Sequence, residues 1–282
     1  MTDELGDSST RWSWRVPDPT RNAELNLLYE PGNWGDVLKG VWAAQLVEGL
    51  CAGLPAGQPL RYLDPFAGAP DYPLLPAAAA RLRAGPAAVA RFLALQAPWL
   101  QRGRLGSTAS LVLACAAQAG RRVDAAIYDL DPHRRDAWRM QPVRVLEHAS
   151  GEEALDLASP PDLLLLDPYD LFDAWGSQLK RALLTARGAP VLAYLYNKAP
   201  RGGGYVRQYE QLRKGVAALV ARSDPARLLV GRIPTDAVLP RAWHELLLIG
   251  PAALLDGLAP ALEQLTRELA GWLGAQGAFE GS

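Results

Sequence analysis

The sequence predicts an α/β domain with a parallel, doubly wound sheet. Short apolar runs alternate with segments of helical periodicity through most of the 282 residues, which is typical of this class. One run, Leu163–Leu166, is apolar throughout and lies between acidic residues, as expected of a central parallel strand that is buried on both faces. With 49% hydrophobic residues, the chain has enough apolar side chains for a large core.

The elements follow in order along the chain. Residues 1–24 mix charged residues with Ser, Thr and Pro, so we expect a loosely ordered lead-in and a single domain over 25–282. Apolar residues recur at helical spacing from Asp36 to about Cys51, and Gly53 and Pro55 end this helix. Seven strands are predicted, at 60–63, 125–128, 143–146, 163–166, 191–196, 228–233 and 243–249. Further helices are predicted at 105–119, 134–140, 176–187, 205–223 and 254–273.

A long interval separates the first predicted strand from the second. Within it, residues 73–104 are rich in Ala, Leu and Arg. Pro76, Pro86 and Pro98 divide this stretch, and proline is tolerated at the first turn of a helix but not in its interior. We therefore expect a small helical insertion after the first strand.

Composition and missing motifs narrow the classes of function. A net charge of −1 and a pI near 6.3 mean that any contact with nucleic acid requires a local basic patch. Cys51 and Cys115 form no CxxC pair and the three histidines are scattered, so neither a disulfide framework nor a metal site is indicated. The GxGxxG, GxSxG, Walker A and HExxH patterns are absent, which argues against nicotinamide enzymes, hydrolases and NTPases. No long apolar run or signal core is found, so we expect a cytoplasmic protein without membrane contact. We also expect a monomer.

Two predicted strands run into turns that are suited to a nucleoside ligand. The first leads into Asp64-Pro65-Phe66-Ala67-Gly68, where Gly68 allows the backbone to approach a ligand closely. The second leads into Asp129, which is placed to accept hydrogen bonds from ribose hydroxyls, because ligands of open α/β sheets bind at the carboxyl ends of the strands. For the first turn, an ordinary strand end is the alternative. For the second, it is a helix N-cap at Asp131, and the two interpretations of that turn can hold together.

The fourth strand is followed by Asp167-Pro168-Tyr169, a set that suits transfer chemistry at an amine. The exocyclic amine of a nucleobase is a poor nucleophile because its lone pair is conjugated into the ring. A carboxylate and a backbone carbonyl can accept its two hydrogens, and a neighbouring aromatic ring can stack on the base. An Asp-Pro turn is also a common way to end a strand.

Two further segments could place positively charged side chains at the carboxyl edge of the predicted sheet. A glycine-rich turn at residues 31–35 leads into a helix that carries Lys39, which could reach an anionic group or a site carboxylate. A solvated lysine is the alternative. The loop at residues 197–205, Asn-Lys-Ala-Pro-Arg-Gly-Gly-Gly-Tyr, could contact phosphates or could be a plain surface loop.

The order of these segments resembles the bacterial RlmJ family, the 23S rRNA adenine-N6 methyltransferases. The resemblance is collinear over roughly residues 25–275. It depends on five short segments, on the helical insertion at residues 73–104 and on the Gly106-Ser107 helix start that follows it. The segments are residues 32–40, 64–69, 129–132, 150–155 and 167–169.

This resemblance implies a Rossmann-like, seven-stranded methyltransferase sheet with S-adenosylmethionine as cofactor and the N6 amine of adenine in 23S rRNA as the methyl acceptor. Asp167 and the Pro168 carbonyl would accept the amine hydrogens, Tyr169 would stack on the base, and Lys39 would support the site. Asp129 would bind the ribose, and Ser150 and Gly151 would lie beside the adenine of the cofactor. Phe66 and Ser107 would lie near the amino-acid end of the cofactor, and the other implied cofactor contacts are Asp64, Gly68, Asp167 and Gly40.

Several polar groups of the family pattern are replaced in this sequence. Pro168 stands alone where the family has two prolines, Phe66 and Gly40 replace histidines, and Ser150 replaces an acid. Leu25 and Leu27 occupy positions where the family has a tyrosine and a histidine that face the substrate. These changes leave two alternatives: a binding or regulatory module that has lost base methylation, or a methyltransferase with a different substrate.

Overall fold

The computed structural model describes residues 21–22, 27–28, 31–148, 150–168, 171–197, 203–222, 226–234, 243–274 and 277–281. Residues 1–20 and 23–24 of the expected lead-in lie outside this part. The strands are β1 (Arg21–Asn22), β2 (Leu27–Leu28), β3 (Leu60–Asp64), β4 (Asp71–Pro73), β5 (Arg104–Gly106), β6 (Val123–Ile127), β7 (Arg144–Val145), β8 (Leu163–Leu166), β9 (Val191–Asn197), β10 (Ala226–Pro234), β11 (Trp243–Pro251) and β12 (Ala278–Gly281). The helices are α1 (Trp34–Gly53), α2 (Pro76–Arg83), α3 (Ala87–Leu95), α4 (Ala97–Leu100), α5 (Thr108–Gln118), α6 (Pro132–Arg139), α7 (Gly151–Leu157), α8 (Leu171–Ala186), α9 (Gly203–Val220) and α10 (Ala252–Trp272).

The main sheet has eight strands within the described residues, in the order β12-β10-β11-β9-β8-β3-β6-β7. The predicted α/β class is confirmed, and all seven predicted strands lie in this sheet. The eighth strand, β12, was not predicted. It follows α10 and pairs antiparallel with the outer edge of β10. Its four residues alternate too little in polarity to be recognised, and pairing with an open edge stabilises them instead.

The sheet is mixed, whereas a parallel sheet was predicted. Strands β7, β6, β3, β8 and β9 pair in parallel, but β11 is antiparallel to both β9 and β10. Only residues 235–242 connect β10 to β11, and a parallel crossover needs about a dozen residues or more. This connection therefore requires an antiparallel pair.

Two helical layers cover the sheet. Side chains on a strand alternate between its faces, so Leu163 and Leu165 join the core cluster that contains α1, α5 and α10. Leu164 and Leu166 join the second cluster, with α7, α8 and α9. All four leucines are buried, which explains why the run lacks polar residues.

The segment between β4 and β5 contains three short helices. Pro76 occupies the first turn of α2, Pro86 is the N-cap of α3, and Pro98 lies in the first turn of α4. β4 and β5 pair antiparallel and bring the two ends of the segment together. No helix in the described part of the chain is both long and apolar enough to cross a membrane.

Strand order reverses at β3. The chain continues from β3 to β6 and β7 on one side, and later places β8 and β9 on the other. In open α/β sheets this reversal creates a crevice outside the carboxyl ends of the two central strands, where ligands bind. The crevice lies between the carboxyl ends of β3 and β8.

Candidate active site

Three carboxyl groups meet at this edge of the sheet. Asp64 is the last residue of β3, Asp167 directly follows β8, and Asp129 comes two residues after β6. β3 is hydrogen-bonded to both other strands, so the three groups lie on adjacent strands. Asp64 is 1% exposed and Asp129 is 7% exposed, whereas the Asp167 side chain keeps 23% of its surface open. The edge is therefore acidic, and Asp167 is its most accessible carboxylate.

The environment of Asp64 favours the neutral acid. Burial raises its pKa to about 7, against hydrogen bonds from the Phe66 amide and the Tyr62 hydroxyl, and the charges of Asp167 and Asp129 raise it further. The Tyr62 hydroxyl donates to Oδ2 at 2.9 Å and the Phe66 amide donates to Oδ1 at 3.1 Å. A cation placed beside Asp64 would stabilise its ionised form.

The turn after Asp64 requires glycine at position 68. Gly68 has φ of +66°, and a Cβ there would lie 2.1 Å from the Tyr72 hydroxyl. Its amide donates to Asp129 Oδ2 at 2.9 Å, and Trp138 Nε1 donates to its carbonyl at 2.8 Å. These bonds fix the β3 turn against the residues that follow β6, so Gly68 and Asp129 form one local unit.

Asp129 is held in a fixed orientation. Besides the Gly68 amide on Oδ2, the Asp131 amide donates to Oδ1 at 2.8 Å, and Arg134 lies 3.6 Å from Oδ2. Burial raises the pKa of Asp129, and Arg134 opposes that shift. Each carboxylate oxygen retains further acceptor capacity for a ligand hydroxyl. The expected N-cap at Asp131 is also present, since its Oδ1 accepts from the His133 amide at 2.8 Å.

Phe66 lies against the start of α7. A Cβ on Gly151 would be 2.2 Å from Cε1 of the Phe66 ring, so only glycine allows this contact. Ser150 is the N-cap of α7, and its Oγ accepts from the Glu153 amide at 3.1 Å. The ring of Phe66 is partly exposed. Phe66, Ser150 and Gly151 therefore form one wall beside the β3 turn.

Helix α1 brings a lysine to the Asp167 carboxylate. Lys39 Nζ lies 2.6 Å from Asp167 Oδ2 and 3.5 Å from Asp36 Oδ1, and Lys39 is buried. Burial lowers the pKa of Lys39, but Asp167 and Asp36 more than offset this, so its pKa lies above the ordinary value and the ammonium form is retained. Burial raises the pKa of Asp167, and Lys39 opposes that shift. Within the described residues, Asp167 Oδ1 has no hydrogen-bond partner and remains available to a ligand.

An aromatic group beside this ion pair was missed by the sequence interpretation. Lys39 Nζ lies 4.4 Å from the centroid of the Tyr194 ring, and the Tyr194 hydroxyl lies 2.6 Å from His244 Nδ1. Burial lowers the pKa of His244 to about 3, and the charge of Lys39 adds to the shift, so the imidazole is neutral. A Cβ on Gly35 would lie 2.2 Å from the Tyr194 hydroxyl. The available signal was a tyrosine and a histidine within two of the predicted strands.

The remaining predicted site residues occupy different surroundings. A Cβ on Gly40 would lie 2.5 Å from the Phe92 ring, so Gly40 faces the helical insertion and not the strand ends. Ser107 is the N-cap of α5, and its amide donates to the Pro70 carbonyl at 2.9 Å, next to the β3 turn. Pro168 is buried. Tyr169 and residues 198–202 of the basic loop lie outside the described residues.

Comparisons with known proteins concern the fold. No protein-family model and no curated protein sequence matches the chain. Protein LPL1258 of Legionella pneumophila, which is assigned to the family model DUF519, matches with a TM-score of 0.63 and 15% identity over 89% of this chain and 97% of that chain. The two proteins share a fold.

Weaker likenesses include a probable spermidine synthase from Corynebacterium glutamicum, with a TM-score of 0.45 and 11% identity over 86% of this chain and 74% of that chain. A putative class I S-adenosylmethionine-dependent methyltransferase from Listeria monocytogenes has a TM-score of 0.43 and 13% identity over 82% of this chain and 70% of that chain. The part of the chain that the structure describes contains no group of three or more metal-binding side chains.

Proposed function

We propose that the protein is an S-adenosylmethionine-dependent methyltransferase that acts on the N6 amine of adenine in ribosomal RNA. One observation carries this proposal: Asp64, Asp129 and Asp167 end adjacent strands at the point where strand order reverses. Burial raises the pKa of Asp64, and the charges of Asp167 and Asp129 raise it further, so an added cation is favoured at this edge. S-adenosylmethionine is a nucleoside that carries two cationic groups, a sulfonium and an ammonium, and its ribose hydroxyls could donate hydrogen bonds to Asp129.

The residues present fit such a cofactor. Asp129 would accept hydrogen bonds from the ribose hydroxyls, and the wall formed by Phe66, Ser150 and Gly151 would contact the adenine. The turn at Gly68, with Asp64 and Ser107 beside it, would receive the amino-acid end. Gly40 would act indirectly. Its lack of a side chain lets α1 pack closely on Phe92, and this packing would set the position of Lys39 relative to the strand ends. When bound, the cofactor supplies an electrophilic methyl group.

The chain's own groups would prepare the acceptor amine. Asp167 Oδ1 would accept one amine hydrogen and the Pro168 carbonyl the other, which frees the nitrogen lone pair from the ring. Lys39 holds Oδ2 at 2.6 Å and keeps the carboxylate ionised and oriented. Asp167 would take the proton that the amine nitrogen loses when it is methylated. Tyr169 is proposed to stack on the base, as the resemblance implies.

Cofactor binding is tested by isothermal titration with S-adenosylmethionine and with its product, S-adenosylhomocysteine. We expect both to bind the wild-type protein and to raise its melting temperature, because a ligand that binds only the folded state stabilises it. Asp129→Ala should weaken binding. The matched control is Asp124→Asn, an exposed carboxylate on the same strand but away from the carboxyl edge. Absence of binding to the wild-type protein at millimolar ligand would refute the proposal.

Catalysis is tested by transfer of a labelled methyl group to ribosomal RNA that lacks its natural modifications. Asp167→Asn keeps the shape of the side chain but removes the charge that Lys39 orients, and we expect kcat to fall by about a hundredfold or more. Thermal melting and titration with S-adenosylhomocysteine show whether the variant keeps its fold and its cofactor site. Equal incorporation by wild type and variant would remove Asp167 from the mechanism. Binding without any transfer by the wild-type protein would favour a binding or regulatory module.

A further inference from the structure

Three aromatic side chains lie together beside the proposed acceptor site: Tyr194, Tyr196 and His244, here called the aromatic ladder. His244 is paired directly with Tyr196 across β9 and β11. The centroid of the His244 ring lies 5.1 Å from that of Tyr196 and 6.0 Å from that of Tyr194. Tyr194 and Tyr196 are two residues apart on one strand, so both face the same side of the sheet as Lys39.

The aromatic ladder ends in an exposed ring. Tyr196 is 44% exposed, and among the described residues it is the only aromatic one of the exposed large hydrophobic side chains. Its neighbour His244 is 6% exposed and supports the ring from below. An exposed aromatic ring on a strand, backed by a buried ring, offers its exposed surface to a planar ligand.

Strand register places Tyr196 at a distance from Asp167 that is similar to the length of a purine base. Leu166 on β8 is level with Ala193 on β9, so Asp167 is level with Tyr194. Tyr196 is two residues further along, which corresponds to about 7 Å along the strand, and the strands are about 5 Å apart. A purine spans a similar length. A base that lies on the Tyr196 ring can therefore direct its exocyclic amine to Asp167.

The charge distribution around the aromatic ladder also favours an uncharged base. Burial keeps His244 neutral, and the hydroxyl of Tyr194 is engaged with its Nδ1. The charges of this region, Lys39 and Asp167, lie beyond the buried end of the aromatic ladder. An uncharged planar ring carrying a hydrogen-bond donor at its edge matches this arrangement, because the rings offer a surface for stacking and Asp167 offers an acceptor.

We propose that Tyr196 is the platform on which the target adenine stacks, with His244 and Tyr194 holding the platform in place. The inference builds on the proposed function, because it identifies how that site holds its acceptor base. It assigns the stacking role to a strand residue next to β8, in addition to the role that the resemblance gives to Tyr169.

The test measures binding of a fluorescently labelled single-stranded oligoadenylate RNA by anisotropy, with saturating S-adenosylhomocysteine. Stacking on an aromatic side chain contributes about 1–3 kcal/mol per base, so Tyr196→Ala should bind more weakly by a factor of about 5 to about 150. Tyr196→Phe keeps the ring and should bind like wild type. Leu184→Ala removes an exposed apolar side chain on α8 and serves as the matched control. Thermal melting and titration with S-adenosylhomocysteine show whether each variant keeps its fold and cofactor site.

The outcomes separate this inference from the proposed function. Loss of oligoadenylate binding in Tyr196→Ala, with normal binding by Tyr196→Phe, supports the platform. Equal affinity of Tyr196→Ala and wild type overturns it, as does a wild-type protein that binds no oligoadenylate. An abasic oligonucleotide that is as sensitive to Tyr196→Ala as oligoadenylate also overturns it, because stacking requires the base. If the wild-type protein fails to bind S-adenosylhomocysteine but binds oligoadenylate through Tyr196, the platform stands and the proposed function falls.

Discussion

At the scale of single residues, the site is defined by buried groups whose charge is costly. Asp64 is 1% exposed and receives only the Tyr62 hydroxyl and the Phe66 amide as hydrogen-bond donors among the described residues. These two bonds do not compensate for burial, and the pKa rises to about 7. A carboxylate kept in this state lowers the stability of the protein and favours binding of a cation. Such a conflict between stability and ligand binding is typical of functional sites.

Asp64 should make stability depend on pH. Its pKa is about 7 in the folded protein and near 3.9 in an unfolded chain, so the folded state binds more protons between these values. The free energy of unfolding therefore falls as pH rises from about 4 to about 7, and the loss is complete above that. Asp64→Asn removes this loss, and at about 1.4 kcal/mol per pKa unit the gain at pH 8 is at most about 4 kcal/mol.

Urea denaturation of wild type and Asp64→Asn at pH 4.5 and pH 8 measures this difference. The variant should be clearly more stable at pH 8 and close to wild type at the lower pH. Asp124→Asn, whose side chain is exposed, should show no such difference between the two conditions. A stability change in Asp64→Asn that is the same at both pH values would contradict the assignment.

At the scale of elements, helix α1 determines the geometry around Asp167. Asn33 caps the helix by accepting from the Asp36 amide at 3.1 Å, and Asp36 Oδ2 accepts from the Gly32 amide at 2.9 Å. One turn further, Lys39 reaches Asp167. Because the first turn is held by these bonds, the ammonium group is placed by the backbone of the helix and not by a flexible side chain alone.

Gly35 should be irreplaceable in this helix. Replacing a helical glycine by alanine usually stabilises a protein by about 0.5–1 kcal/mol. In Gly35→Ala the new methyl group would lie 2.2 Å from the Tyr194 hydroxyl and 2.8 Å from His244 Nδ1, so we expect a loss of about 1–3 kcal/mol instead. Chemical denaturation of wild type and Gly35→Ala measures the two free energies of unfolding.

Two further variants identify the cause of that loss. Gly257→Ala, on α10 with open space around its Cα, should be stabilising. Adding Tyr194→Phe to Gly35→Ala removes the atom nearest to the new methyl group, so the double variant should be less destabilised than the sum of its single changes. Additive effects would show that the contact with Tyr194 is not responsible.

The sequence predicted individual elements better than their arrangement. The first helix, the strand runs and the acids at their ends follow from local periodicity and turn chemistry, so their positions were found. The antiparallel β11 was missed although residues 235–242 are too few for a parallel crossover. The resemblance placed Gly40 among the cofactor contacts, next to Lys39. On a helix consecutive residues face different directions, however, and Gly40 faces Phe92.

At the scale of the whole molecule, strand β12 completes the sheet. Its backbone pairs with residues 229–232 on the outer edge of β10, and Phe279 packs on the buried Trp42 with ring centroids 6.1 Å apart. Unpaired edges of this kind promote association between chains. Strand β12 therefore covers the outer edge of β10 and also contacts α1 through Phe279 and Trp42.

Deletion of residues 277–282 should lower the melting temperature and cause self-association, because it uncovers the edge of β10 and part of Trp42. Sedimentation velocity and thermal denaturation measure the two effects. Deletion of Ser282 alone, which follows β12, is the control and should change neither. A truncated protein that keeps the melting temperature and sedimentation coefficient of the full chain would show that β12 has no such role.

The sequence by itself determined the α/β class and which strands end in acids, because both depend on patterns within a few residues. Only the tertiary structure decided which of these groups meet. Lys39 and Asp167 are 128 positions apart, and Tyr194 and His244 are 50 apart. Their contacts depend on strand order, on the antiparallel direction of β11 and on the approach of α1 that Gly35 permits. Such long-range pairings are set by how the elements pack together, which local sequence patterns do not specify.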